Sequence, residues 1–169
     1  MELEVQHSHR WVSRKPDWAA AVVSGLVAGA VAMILDLLWT TLMLGANPWH
    51  TSHLVAAMVL GPDVLVGNTN AFALNIVAVA LLTHYGLGIL FGSLVAYVVT
   101  GFHYEGSLPV LEIVGGVLGM ALYVFNFYVM TSVFPFVAEL RSGAYFFEHF
   151  IFGMTAAMVY WKLARPRMD

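Results

Sequence analysis

Four long apolar runs constrain this chain more than any other feature: Trp18–Gly45, Asn70–Thr100, Leu108–Pro135 and Ala144–Leu163. A membrane-crossing helix needs roughly 20 mostly apolar residues, and each run supplies that length. Only 10% of the 169 residues are charged, whereas a soluble domain carries about 25%. These runs predict an all-α integral membrane protein with four transmembrane helices. They are too long and too continuous for the alternating strands of a membrane barrel.

The expected organisation is an N-terminal tail, 1–17, and one transmembrane domain, 18–165, with spans at about 18–45, 70–100, 108–135 and 144–163. The first run far exceeds a signal-peptide core and lacks a small-residue cleavage pattern, so it is expected to remain as a helix. Cysteine is absent, which leaves neither disulfides nor thiolate metal sites. Arg10, Arg14 and Lys15 precede the first span, and Lys162, Arg165 and Arg167 close the fourth; Arg141 alone lies elsewhere. The positive-inside bias then puts both termini in the cytoplasm, as expected for a bacterial inner-membrane protein. A net charge of −3 and so few basic residues give no nucleic-acid-binding surface.

The runs also repeat. Gly25, Gly29 and Asp36 align with Gly115, Gly119 and Asn126, while His84, Gly88 and Gly92 align with His149, Gly153 and Ala157. This pattern predicts two tandem helical hairpins related by an axis along the membrane normal. Between the first and second spans, residues 50–60 read as a short interfacial helix at the outer surface, stopped by Gly61 and Pro62. Each span carries a small-xxx-small pair (Gly25/Gly29, Gly88/Gly92, Gly115/Gly119, Gly153/Ala157), the usual means of close helix packing in lipid.

Polar residues fall on those packing faces, since residues three, four or seven apart share a side of a helix. Asp36, His84, Asn126 and His149 lie there, as does Glu112 nearer the inner end. Asp36 and Asn126 are each nine residues from an outer helix end, about 13 Å at 1.5 Å per residue. Glu148 adjoins His149, so His84, His149, Asp36 and Glu148 are expected to cluster in the outer half of the membrane. Imidazole is a common metal ligand whose second nitrogen is usually fixed by a carboxylate or carbonyl. A glycine one turn from each histidine leaves space for a macrocycle, so the set suits a bis-histidine haem b or a compact copper, iron or zinc site. Hydrogen-bonded helix packing is the alternative for each residue, Asn126 and Glu112 included. His50 and His53, three apart on the surface helix, form a second metal candidate. No catalytic motif is present.

The stretches "GANPWHTSHLVAAMVLG", "THYGLGILFG" and "EHFIFG" resemble those of a family of small four-span bacterial inner-membrane proteins often labelled symporter-like. The resemblance implies the four-helix fold and carries no activity with it. From the residues, three roles stay open: a metal- or haem-bearing protein for electron transfer or metal handling, an accessory subunit of a larger membrane complex or homo-oligomer, and a small-solute transporter. All three place the chain in the lipid bilayer.

Overall fold

The computed structural model describes residues 15–102 and 107–164, and every regular element among them is helical. These are α1 (Trp18–Leu38), α2 (Trp49–Leu60), α3 (Leu74–Gly101), α4 (Leu108–Val124) and α5 (Gly143–Leu163). Most of the N-terminal tail, including Arg10 and Arg14, and the end of the chain, with Arg165 and Arg167, lie outside the described residues.

Among the described residues, three segments are long and apolar enough to cross a bilayer: Trp18–Met43, Leu74–Gly101 and Leu108–Ser132. The segment expected to form the fourth span folds as α5, 21 residues long, and is not among these three, because Glu148, His149 and Lys162 leave it less apolar. Span edges also differ from expectation. The first helix ends in a π-helical turn, Trp39–Met43, and Gly45, at a φ of 58° that suits glycine, closes it. α4 likewise runs into a π-helical turn, Phe125–Val129. α3 starts at Leu74 because Asn68 and Asn70 are held in a turn, with the Asn70 carbonyl accepting from the Asn47 side chain at 2.9 Å.

α1 packs along both α3 and α5, and α4 packs chiefly on α5, while α3 and α4 scarcely touch. Glycine makes the two hairpin contacts. A Cβ on Gly25 would strike the Gly88 carbonyl, and one on Gly92 would strike the Gly25 backbone. In the second hairpin a Cβ on Gly115 would reach the Gly153 carbonyl at 2.6 Å and the Ala157 side chain at 2.7 Å. The aligned residues of the two halves therefore meet in equivalent ways. The helix backbones touch, and dispersion between them replaces the apolar driving force that lipid removes.

The two ends of the bundle differ. Toward the chain termini the core is dense and built from small residues, Ala21, Ala28, Ala96 and Ala156 among them. There the buried Tyr160 hydroxyl accepts from the Asp17 backbone N–H at 3.1 Å and meets the Thr100 hydroxyl at 2.8 Å, tying α1, α3 and α5 together. At the opposite end, α2 packs its Ala56 against Ile76 and Ala80 of α3. The expected interfacial helix is thus docked on the bundle, with His53, Leu54, Ala56 and Ala57 buried.

Candidate functional site

Between the dense core and α2 lies a cavity of about 400 Å³. α1 contributes Asp36, α2 Thr51 and Met58, α3 His84, the turn after α4 Asn126, and α5 Tyr145, Glu148 and His149. The structure therefore brings His84, His149, Asp36, Glu148 and Asn126 to one hollow, as the sequence predicts. Glu112 is elsewhere, just past the first turn of α4, and does not line this cavity.

Hydrogen bonds give the two histidines different roles. His84 Nε2 lies 2.8 Å from the Gly29 carbonyl; a carbonyl only accepts, so Nε2 carries the proton and Nδ1 is the acceptor. His149 Nδ1 lies 2.8 Å from the Tyr145 carbonyl and carries the proton for the same reason. Its Nε2 then accepts from the Asn126 amide at 3.1 Å. Close packing explains the difference. A Cβ on Gly119 would collide with the His149 backbone carbonyl, whereas one on Gly29 would meet the His84 ring at 3.5 Å. α4 and α5 leave no room for a ring between them, so His149 turns to Asn126, flanked edge-on by Tyr123 and Phe127.

Asp36 does not pair with Asn126. Its Oδ1 accepts from the Tyr145 hydroxyl at 2.7 Å and from the Thr40 hydroxyl at 3.3 Å. The positions on α3 that correspond to Tyr145 and Glu148 by the 65-residue offset hold Ala80 and Thr83, so only one half of the repeat bears this network. Asp36 and Glu148 both line this hollow. Glu148 makes no hydrogen bond among the described residues, and Asp36 Oδ2, Asn126 Oδ1 and His84 Nδ1 likewise have no partner there.

Among the described residues no three of His, Asp and Glu form a group able to hold a metal ion. A bis-histidine haem would require His149 to give up its Asn126 contact, because only His84 has a ring nitrogen to spare. The second candidate pair separates: His53 is buried with Nδ1 on the Trp49 carbonyl at 2.9 Å, whereas His50 spans Thr69 Oγ1 at 2.8 Å and Glu139 Oε2 at 3.1 Å. His50 is a tie between α2 and the segment before α5.

Sequence reasoning overlooked Tyr145, Thr51 and Thr40. Tyr145 had a visible signal, since it precedes Glu148 by three and His149 by four and so shares their face. Comparison with protein-family models, characterised proteins and solved structures finds no match for this chain.

Proposed function

We propose that this chain is a four-span membrane protein whose cavity binds a lipid-soluble molecule with a protonated amine head. α5 is the fourth span. Its length suffices for a bilayer, and Tyr145, Glu148 and His149 line the cavity, which gives these polar side chains a place away from lipid. The clustering of Lys and Arg near the termini supports a cytoplasmic side for both, in a bacterial inner membrane. The cavity then sits in the outer leaflet, beneath α2.

One observation carries the ligand class: most of the wall's hydrogen-bond donors are already committed inside the protein, and the atoms left over are acceptors. Tyr145 donates to Asp36, Asn126 to His149, His84 to Gly29, and His149 to Tyr145. Two carboxyl groups, ionised beside a cation, an imidazole nitrogen and an amide oxygen remain. An ammonium group offers three donors and a charge opposite to the carboxylates. The rest of the lining, with Leu87, Phe91, Phe125, Met130 and Phe152, suits an apolar body, as in small-molecule sites generally.

The experiment is calorimetric titration of the protein in nanodiscs with decylammonium, using decanol as the neutral comparison. Asp36→Asn and Glu148→Gln should each weaken decylammonium binding about tenfold or more, in line with hydrogen bonds to charged groups. Decanol should bind weakly and be insensitive to both. Equal affinity for the two molecules, or no effect of either substitution, would overturn the reading.

A further inference from the structure

Asp36 and Glu148 line two hollows, not one. Across the carboxylates from the central cavity lies a groove of about 350 Å³ between the π-helical turn of α1 and the first turns of α5. Its walls are Trp39, Leu42, Met43, Ala144 and Phe147. Leu42 and Met43 are more than 70% exposed, so the groove opens on an apolar stretch of the protein surface. We propose that this groove is the lateral portal through which a protonated amphiphilic amine passes from the outer leaflet into the central cavity, an inference that rests on the amine-binding reading above.

Three features support this route. The groove ends on the same two carboxylates that wall the cavity, so a cation moving inward exchanges one carboxylate face for another and is never left bare. On the side of α3 the cavity lining is apolar, with Leu87, Leu90 and Phe91; a charge entering past them would lose its solvation with nothing in return. Small residues keep the groove clear: a Cβ added at Gly143 would meet no atom within 4 Å, and Ala144 follows it. The π-helical turn at Trp39–Met43 adds local irregularity on the facing side, a feature common at functional sites.

The portal is tested by kinetics, because filling a passage changes rates and leaves the bound state alone. Binding of a dansyl-tagged pentylamine to the nanodisc-embedded protein is followed by stopped-flow fluorescence. Gly143→Trp and Met43→Trp, on opposite sides of the groove, should each slow association and dissociation about tenfold while the equilibrium constant stays within about twofold. Gly86→Trp, on α3 one turn from Leu90, where an added Cβ also meets nothing within 4 Å, should leave the rates unchanged. Unaltered rates in both groove variants, or slowing by Gly86→Trp alone, overturn the portal while the binding site stands. A wild-type protein that fails to bind the amine removes the binding reading and the portal with it.

Discussion

The Tyr145 hydroxyl on α5 donates to the Asp36 carboxylate on α1 at 2.7 Å, joining the two hairpins at the polar wall of the cavity. With its hydrogen committed to Asp36, the Tyr145 oxygen accepts from Thr51 of α2 at 3.4 Å. One phenol therefore connects α1, α2 and α5. Tyr145→Phe keeps the ring and removes the donor. It should destabilise the bundle by about 1–2 kcal/mol, near the upper end for hydrogen bonds in membranes because the acceptor is a carboxylate. Thermal unfolding in detergent measures this, and a double-mutant cycle with Asp36→Asn should show the loss to be shared. A neutral Tyr145→Phe would mean that the contact carries no stability.

The two aligned histidines should hold opposite tautomers, His84 protonated on Nε2 and His149 on Nδ1, because each donates to a backbone carbonyl through a different nitrogen. Nitrogen-15 spectra of histidine-labelled protein, assigned through His84→Gln and His149→Gln, distinguish the two forms. Asn126→Leu should perturb the His149 signals and leave those of His84 in place. A single tautomer for both rings would contradict the roles derived from the packing.

Glycine substitutions should rank by what the new Cβ meets. At Gly119 and Gly153 it strikes a facing backbone carbonyl, so Gly119→Ala and Gly153→Ala should each cost several kcal/mol or block folding, as overpacking does when no flexible atom can yield. The atoms nearest a Cβ at Gly116 all belong to the Phe150 ring, a side chain that can move, so Gly116→Ala should cost less. Gly86→Ala meets nothing and should gain up to about 1 kcal/mol from helix propensity. Melting temperatures in one detergent check the order, and a Gly119→Ala protein as stable as Gly86→Ala would contradict the close approach of α4 and α5.

These glycines, with the polar residues spaced four and seven from them, made the hairpins and most of the cavity wall legible in the sequence. Helical periodicity reports which residues share a face, and close-packed faces in lipid need small residues. Periodicity does not report how near two helices come. The distance between α4 and α5 at Gly119 decides that His149 turns to Asn126, and no spacing encodes it. The π-helical turns at Trp39 and Phe125 were hidden for a related reason, since an inserted residue breaks the very period used to read the helix. Hydropathy treated α5 as an ordinary span, although its polar residues line a cavity. The His50–Glu139 contact joins residues 89 apart in sequence, beyond any local pattern.

That contact should hold α2 over the cavity. His50→Phe and Glu139→Gln each break the 3.1 Å pair, so amides of α2 should exchange with solvent several-fold faster in either variant, as for a locally opened segment. The pair is partly exposed, so global stability should change by less than about 1 kcal/mol. Unchanged exchange in α2 would show that its packing on α3 alone keeps it in place.

The central claim is that the cavity wall presents acceptors to its ligand, and the sign of the ligand's charge tests it most directly. Decylammonium and decanoate share an apolar chain and carry opposite heads. Titrated into the same nanodisc-embedded protein, decylammonium should bind at least about 100-fold more tightly, because the carboxylates of Asp36 and Glu148 attract one head and repel the other. Equal binding of the two, or a preference for decanoate, would contradict the account.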